Sequence, residues 1–343
     1  MGTETILVWG AGAIGGTAGA HLVRAGHDVL FVDRAGDHVA AMAKDGLAIT
    51  GPVTEFKVPV HALEPERVKG RFDTVLLCVK AQDTEGATRA LLPHLAEDGC
   101  VVSLQNGLNE RVIAEVVGPK RTVGAFVNFG ADYLSPGVIL FGGRGAVVVG
   151  EIDGRITPRA ERLHRLLRDF EERAVLTANI WGYLWAKLAY GAMLFATALT
   201  NASIADCLAS PHHRALFIAL PREVLRVAAA ARVLPEPFDG FDPGAFAPGA
   251  AETQAVESID ALVGFNRRSA KSHSGVWRDL AVRKRRTEAE HQLGPIVAVA
   301  REHGLSAPIT ARLIALVRDI EDGRRAQDWA TLDLLMETVQ HER

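Results

Sequence analysis

A glycine motif near the amino terminus constrains the fold of this chain more than any other feature. Gly10, Gly12 and Gly15 form a G-x-G-x-x-G pattern directly after the apolar run Ile6–Trp9, and a helical pattern opens at Ile14. In this setting the first glycine permits a tight turn, the second lets the backbone approach a pyrophosphate, and the third lets helix and strand pack closely. Amides at the helix start bind the phosphates. The motif predicts a dinucleotide site formed by Gly10, Ala11, Gly12, Ala13, Ile14 and Gly15.

The first half of the chain alternates buried-strand and helical patterns. Apolar runs rich in Val, Leu and Ile predict strands at Thr5–Trp9, Asp28–Val32, Thr74–Val79 and Cys100–Leu104. Amphipathic stretches predict helices at Ile14–Ala25, Thr84–Leu95 and Asn109–Val116. This alternation predicts a doubly wound α/β domain with a parallel sheet. Three later runs are predicted to complete the same sheet as antiparallel strands, Thr122–Val127, Val138–Phe141 and Ala146–Val149.

The second half of the chain has helical periodicity. After a helix at Thr157–Glu171 and a short strand at Ala174–Thr177, strand-like patterns stop. Helices are predicted at Trp181–Leu199, His212–Arg232, Glu252–Asn266, Thr287–His303 and Ala307–Glu321. We therefore expect two domains, 1–178 with an α/β fold and 179–343 all helical.

Composition narrows the classes of partner. The net charge of -3 is too balanced to hold a nucleic acid by its field alone. No apolar run reaches the length of a membrane span, and the first residues lack a signal-peptide pattern, so a cytoplasmic protein is expected. The three cysteines have no metal-ligand or C-x-x-C spacing and are predicted to be small buried hydrophobes. The expected partner is a small-molecule substrate, with no nucleic acid and no membrane.

Asp33 and Arg34 end the second predicted strand, where the adenine ribose of a dinucleotide is bound. A carboxylate at Asp33 accepts hydrogen bonds from the ribose hydroxyls of NAD and repels the 2′-phosphate of NADP. Arg34 is the residue type that binds that phosphate, or it could lie in solvent or stack on adenine. The pair leaves both cofactors open.

Lys80 and Asn106 follow two other strands of the predicted sheet. Ligands of open α/β sheets bind at the carboxyl edge, which is where both side chains are delivered. Taken singly, Lys80 could extend to water, and Asn106-Gly107 could be an ordinary turn. Their coincidence at one edge favours a role at the nicotinamide end of the site.

Two ionisable residues of the helical half are candidates for chemistry. Lys187 stands alone in the apolar stretch WGYLWAKLAYGAMLF. It could lie on a narrow exposed stripe of the helix, which composition alone favours slightly, whereas a buried lysine there would exchange a proton near neutral pH. Glu288 follows the basic run 283–286, which is typical of a solvated helix face. His212-His213 would need further ligands to bind a metal, so no metal site is expected.

Five motifs in order across both halves resemble the ketopantoate reductase family, the 2-dehydropantoate 2-reductases and related 2-hydroxyacid dehydrogenases. They are GAGAIGG (10–16), CVKAQDT (78–84), LQNGLNE (104–110), WAKLA (185–189) and WRDLAVRKRRTEAEHQLG (277–294). The resemblance implies an N-terminal Rossmann dinucleotide-binding domain, a C-terminal all-helical domain, and an active site in the cleft between them. It also implies NAD(P)H-dependent reduction of a 2-oxo acid to a 2-hydroxy acid.

The resemblance also implies roles for individual residues. Lys187 would be the general acid that protonates the carbonyl oxygen as the hydride arrives. Asn106 would hold substrate and cofactor in register, and Lys80 would line the cleft near the cofactor. Glu288 would bond to the ribose or orient the site.

The chain departs from the family pattern where the substrate should bind. Pantoate-forming members carry asparagines four and eight residues after the catalytic lysine, and this chain has Gly191 and Phe195 there. Ser274 could take the role of a serine in the last motif, and Asn201 could replace a lost amide. A pocket that loses two amides and gains a phenyl ring should bind a less polar or larger substrate.

Several alternatives stay open at this stage. The family and Arg34 lean slightly to NADP, whereas Asp33 occurs in NAD-dependent D-2-hydroxyacid dehydrogenases of the family. Other possible functions are reduction of a bulkier ketone, a 3-hydroxyacid or imine reductase in which Glu288 is dispensable, and a non-catalytic dinucleotide sensor. Apolar faces in the helical half also predict a homodimer.

Overall fold

A computed structural model of the chain describes residues 4–268 and 272–340. The chain divides into two compact units, Met1–Ile180 and Trp181–Arg343. The first unit combines β-sheets with helices, and the described part of the second is built from helices. The predicted fold class, an α/β domain followed by a helical domain, is confirmed.

The first unit alternates strands and helices along the chain. Its strands are β1 (Ile6–Trp9), β2 (Val29–Val32), β3 (Leu47–Thr50), β4 (Phe56–Val58), β5 (His61–Leu63), β6 (Phe72–Leu77), β7 (Leu95–Ser103), β8 (Thr122–Val127), β9 (Gly130–Ser135), β10 (Val138–Gly143), β11 (Val147–Glu151) and β12 (Val175–Leu176). Its helices are α1 (Ala13–Arg24), α2 (Gly36–Asp45), α3 (Thr84–Leu91), α4 (Asn109–Val117) and α5 (Pro158–Arg168).

The main sheet of the first unit has eight strands in the order β12-β11-β8-β7-β6-β1-β2-β5. All neighbours are parallel except β8 and β11. The central strand β1 is buried on both faces, because Ile6 and Val8 belong to one hydrophobic cluster and Leu7 and Trp9 to the other. This double burial explains why β1 is an unbroken apolar run rather than an alternating one.

Two predictions about the sheet were wrong. Strand β10, predicted as Val138–Phe141 in the main sheet, lies in a separate four-stranded sheet of order β4-β3-β10-β9. β8 was also expected to be antiparallel throughout, but it pairs in parallel with β7 and is antiparallel only to β11. The strands of the two sheets differ in their burial patterns. Every residue of β8 and β11 in the main sheet is buried, whereas buried positions alternate along β10 in the second sheet. Alternation is typical of a strand with one exposed face.

The helix predicted at Thr84–Leu95 is shorter than expected. Helix α3 ends at Leu91, a 3-10 turn containing Pro93 follows, and Leu95 already belongs to β7. Proline has no amide hydrogen to donate to the preceding turn, so the helix stops before it.

Helix α8 lies at the centre of the second unit. The helices there are α6 (Ile180–Thr197), α7 (Ile204–Ala209), α8 (Arg214–Ala230), α9 (Glu252–Arg268), α10 (Gly275–Trp277), α11 (Ala289–Glu302), α12 (Pro308–Glu321) and α13 (Trp329–Gln340). α8 contacts α7, α9, α11, α12 and α13. Its buried Glu223 accepts hydrogen bonds from the amides of Ile309 (3.0 Å) and Thr310 (2.7 Å). A buried carboxylate on α8 thereby fixes the start of α12.

Two findings bear on the expectations from composition. Within the described residues, no helix combines the length and apolar character needed to cross a membrane. Cys100 and Cys207 are buried thiols, as predicted, and burial raises the pKa of each to about 11. Cys78 is a partly buried thiol, and burial raises its pKa as well.

Candidate functional site

The glycine loop joins β1 to α1 in the geometry that the motif predicts. Gly10 has a φ of +100°, and a Cβ there would lie 2.8 Å from the amide nitrogen of Val79. A Cβ on Gly15 would lie 2.1 Å from the carbonyl oxygen of Gly10. At Gly12, by contrast, an added Cβ would meet no atom of the described chain within 4 Å. Other backbone atoms therefore leave no room for a side chain at Gly10 or Gly15, whereas the backbone at Gly12 is open to a ligand.

Asp33 is tied to this loop through its carboxylate. Oδ2 accepts a hydrogen bond from the backbone amide of Ala11 (2.9 Å), and Oδ1 accepts one from Ala35 (3.0 Å). Both oxygens are thus held by backbone groups, one of them inside the glycine motif. This arrangement fixes a negative charge beside the loop.

Arg34 points toward a carboxylate that sequence reasoning missed. Its Nη1 and Nη2 donate to the two carboxylate oxygens of Asp83, at 2.9 and 3.2 Å. The Arg34 side chain is 77% exposed, so breaking this pair costs little free energy. Asp83 belongs to the motif CVKAQDT, but no neighbouring residue in the sequence indicates that its side chain contacts Arg34, just after β2.

Lys80 and Asn106 follow strands that end at one edge of the main sheet. Trp9 at the end of β1 is in register with Leu77 of β6, which is in register with Ser103 of β7. Both residues are half-buried and lie in the loops that continue from these strand ends. The structure therefore brings both to the carboxyl edge that also carries the glycine loop.

A buried polar network holds these two loops together. Gln105 Nε2 donates to the carbonyl of Val79 and to Oγ1 of Thr84, both at 2.8 Å. Thr84 in turn donates to Asn109 Oδ1 (3.1 Å), and Asn109 Nδ2 donates to the carbonyl of Asn106 (2.7 Å). Sequence reasoning missed these three positioning residues, although all lie within the two motifs that carry Lys80 and Asn106.

Glu110 is a second feature that the sequence did not indicate. It stands in the first turn of α4 and is fully buried. Burial raises the pKa of its carboxyl group to about 8, because removal from water disfavours the charged form. Glu110 therefore keeps its proton at neutral pH.

Lys187 lies in the middle of α6 and is half-buried, and nearby Trp185 and Leu188 on the same helix are buried. Gly191 and Phe195 follow at one-turn intervals and so share its helix face. A Cβ built on Gly191 meets no described atom within 4 Å, whereas Phe195 is 3% exposed. The helix face beside Lys187 thus has open space at Gly191, and one turn further along it carries the packed ring of Phe195.

Ser274 and Asn201 differ in which of their hydrogen-bonding groups are already used within the protein. Ser274 is buried, and its Oγ accepts a hydrogen bond from the Trp277 amide (3.1 Å), which leaves its proton to be donated elsewhere. Asn201 Oδ1 accepts from Trp277 Nε1 (3.2 Å), and its Nδ2 donates to the carbonyl of Gln327 (2.7 Å). Asn201 thus uses its carbonyl oxygen and one N–H in contacts within the helical unit, which leaves the second N–H of Nδ2 for a further partner.

The basic run 283–286 is exposed, as its charge pattern predicts, but it does not lie on a helix. It forms a loop after a π-helical turn at Arg278–Val282. Arg283 and Arg285 pair with Asp279 at 3.1 and 2.8 Å, and Arg286 pairs with Asp322 at 2.6 Å. The first two ion pairs are local to this segment, and the third ties the loop to the residue that follows α12.

Glu288 is the half-buried residue that precedes α11, so the predicted helix from Thr287 begins at Ala289. Its neighbour Thr287 donates from both its amide and its hydroxyl to Glu321 Oε1, each at 2.7 Å. Glu321, at the end of α12, thus fixes the segment that carries Glu288. Sequence reasoning missed Glu321 because it lies far along the chain.

The residues of the first unit fit a bound dinucleotide. The open backbone at Gly12 and the crowded positions at Gly10 and Gly15 match the functions of the three glycines in such sites. Asp33 supplies a fixed carboxylate for ribose hydroxyls. When bound, NAD(P)H would supply the hydride, and the residues that would hold it are this loop, Asp33, Arg34 and Lys80.

Two family models match the chain. Residues 6–154 match the model described as ketopantoate reductase PanE/ApbA, and residues 179–321 match its C-terminal partner. The 2-dehydropantoate 2-reductase of Archaeoglobus fulgidus is 31% identical over 326 residues, covering 94% of this chain and all of the relative. That of Halobacterium salinarum is 28% identical, covering 91% of this chain and 97% of the relative.

Solved structures agree with these sequence matches. A PanE/ApbA family ketopantoate reductase from Ralstonia eutropha superposes with a TM-score of 0.78 at 28% identity, covering 94% of this chain and all of that one. D-mandelate dehydrogenase in a ternary structure with NADH and anilino(oxo)acetate has a TM-score of 0.80 at 21% identity, covering 93% and 99%, which shows a shared fold. The chain therefore belongs to the ketopantoate reductase family.

Proposed function

We propose that this chain is an NAD(P)H-dependent oxidoreductase that reduces the carbonyl of a 2-oxo acid, with 2-dehydropantoate as the first candidate substrate. Family membership and the reductase names of the relatives support the reaction class. The observation that carries the proposal is Lys187, a half-buried cation on an apolar helix beside the open position at Gly191. A sensor of redox state has no need of such a group, and none of the relatives named above is a sensor.

Lys187 would act as the general acid. Hydride transfer builds negative charge on the carbonyl oxygen, and an ammonium group at that oxygen both stabilises the charge and supplies the proton. The partly buried setting of Lys187 strengthens this interaction, because water screens it less.

Other residues would orient the reactants. Asn106, whose carbonyl is held by Asn109, would keep substrate and cofactor in register, and Lys80 would lie near the cofactor. Ser274 would donate a hydrogen bond to the substrate, and Phe195 and Gly191 would shape its pocket. Glu288, on the segment fixed by Glu321, would bond to the ribose or orient the site.

NADH is the cofactor that the local geometry favours, despite the lean to NADP in the sequence pattern. That lean rests on the family and on Arg34, and the Arg34 guanidinium pairs with Asp83. The Asp33 carboxylate is held beside the glycine loop by two backbone amides, where it would repel a 2′-phosphate.

Replacing Asp33 with alanine should shift the ratio of kcat/KM for NADPH to that for NADH by about tenfold or more toward NADPH, because repulsion of the 2′-phosphate is removed. Steady-state kinetics with both cofactors would measure the shift. Asp33→Asn is the matched control, since it removes the charge but keeps an oxygen for the Ala11 amide. An equal loss with both cofactors would instead make Asp33 a structural residue.

Replacing Gly191 with asparagine should lower KM for 2-dehydropantoate about tenfold, because the amide would supply a polar partner that the helix face now lacks. The space beyond Gly191 accommodates the side chain, and removing a glycine from a helix interior does not destabilise it. Gly191→Ala fills part of the space without an amide and controls for helix stability. A KM that is the same in both variants would exclude Gly191 from the substrate pocket.

The function is tested by following NADH and NADPH oxidation with a panel of 2-oxo acids. We expect turnover of 2-dehydropantoate or of a bulkier 2-oxo acid. If only bulkier acids react, Gly191 and Phe195 have redirected the pocket. Failure with every 2-oxo acid would refute the proposed reaction.

We also propose that the enzyme is a cytoplasmic homodimer. Leu234, Phe265 and Val282 of the helical unit are large apolar side chains that are 75%, 55% and 65% exposed. Burial of such side chains favours association. Sedimentation velocity would give the oligomeric state.

A further inference from the structure

We propose that His212, His213 and Asp333 bind one divalent transition-metal ion of the zinc class. No metal was expected here from the sequence, because His212-His213 would need a further ligand. The fold supplies it: Asp333 Oδ1 lies 2.8 Å from His213 Nε2 and 3.3 Å from His212 Nε2. One ligand atom from each side chain lies within 4.8 Å of the others.

The two nitrogen–oxygen distances are close to those of tetrahedral coordination, and the ligand atoms all lie within 4.8 Å of one another. Zinc binds imidazole nitrogen at 2.0–2.1 Å and carboxylate oxygen at 2.0–2.2 Å, which separates neighbouring ligand atoms by about 3.3 Å. The two nitrogen–oxygen distances, 2.8 and 3.3 Å, need only small side-chain movements to reach this value. Two imidazoles and one carboxylate leave a fourth position for water, and this ligand set suits zinc better than calcium or magnesium.

Ser210 provides the hydrogen-bond partner that a histidine ligand needs on its other ring nitrogen. Its hydroxyl lies 2.9 Å from His213 Nδ1. Without metal, a proton on His213 Nε2 is donated to Asp333, and Nδ1 accepts from the serine. With metal on Nε2, that proton moves to Nδ1 and is donated to the serine oxygen, because a hydroxyl can both donate and accept. Both ring nitrogens of His213 therefore have a partner in each state.

The surroundings favour a cation at this place. His213 is buried and stacks on Trp329 at a ring distance of 5.3 Å, so its ring orientation is fixed. The His212 and Asp333 side chains are 65% and 46% exposed, which leaves a path for the ion. Arg214, the cation next in sequence, pairs with Asp260 at 2.6 Å rather than with Asp333. A bound ion would link the start of α8 to α13, the last helix of the described chain.

The test uses the full chain, purified without a histidine tag and stripped of metal by a chelator. Isothermal titration with Zn²⁺ should show one site per chain, and Co²⁺ should give the intense visible absorption of a tetrahedral site. We expect His212→Ala to weaken Zn²⁺ binding at least about 100-fold and Ser210→Ala about 10- to 100-fold. Zn²⁺ should also raise the melting temperature of the wild type but not that of His212→Ala.

The controls separate this site from adventitious binding. His303→Ala removes another exposed histidine of the same unit and should leave Zn²⁺ affinity unchanged. Asp333→Asn tests the third ligand without removing the buried His213, whose loss could prevent folding. The proposal is overturned if the wild type binds no Zn²⁺ or if binding persists in both His212→Ala and Asp333→Asn. Neither outcome bears on reductase activity.

Discussion

Replacing Lys187 with alanine should lower kcat about 1,000-fold while leaving dinucleotide affinity nearly unchanged. The loss follows from removing a positioned proton donor and the positive charge that stabilises the developing alkoxide. Cofactor affinity should persist because the glycine loop and Asp33 belong to the first compact unit, whereas Lys187 belongs to the second.

Single-turnover rates and fluorescence titration with NADH would measure these two effects separately. Lys187→Arg is an informative control, because it keeps the charge but holds its proton too tightly to act as an acid. We expect it to retain less than a tenth of wild-type turnover while exceeding the alanine variant. An alanine variant with wild-type turnover would remove Lys187 from the proposed mechanism.

Sequence patterns predicted the features that depend on local rules. The glycine loop was predicted from a short motif in which each position requires glycine for a separate steric reason. The structure confirms the requirement at Gly10 and Gly15, where a Cβ would lie too close to backbone atoms. Likewise, α8 and α12 were predicted because their apolar positions recur with the helical period. Helix α13 was missed, although buried Leu332, Leu335 and Val339 carry the same spacing.

Features that depend on distant pairing could not be predicted from one sequence. Asp83 accepts a hydrogen bond from Arg34, and Glu321 accepts one from Thr287. Neither contact could be predicted, because the two residues of each pair are far apart in the sequence. The same limit explains why β10 was assigned to the wrong sheet, since pairing with β3 depends on tertiary structure. Whether Lys187, Asn106 and Glu288 act together stays a prediction that the kinetic experiments address.

Replacing Glu110 with glutamine should stabilise the protein increasingly as pH rises from 5 to 8. Burial raises the pKa of Glu110 from 4.5 to about 8 in the folded chain. The stability that this group contributes is therefore complete below pH 4.5, and it is lost as pH rises toward 8, because the unfolded chain gives up the proton first. Glutamine stays neutral in both states and carries no such penalty.

The expected size is about 1.4 kcal/mol of unfolding free energy for each pH unit in this interval, a few kcal/mol in total. Thermal melts of the two proteins at pH 5 and pH 8 would measure it, and the variant should gain several °C over the wild type at the higher pH only. Glu115→Gln, on the exposed side of the same helix, should follow the wild type at both pH values. If the Glu110→Gln variant also melted like the wild type at both pH values, the pKa of Glu110 would not be raised in the folded protein. The Glu110 carboxyl would then be ionised at neutral pH, with its charge stabilised by hydrogen bonds.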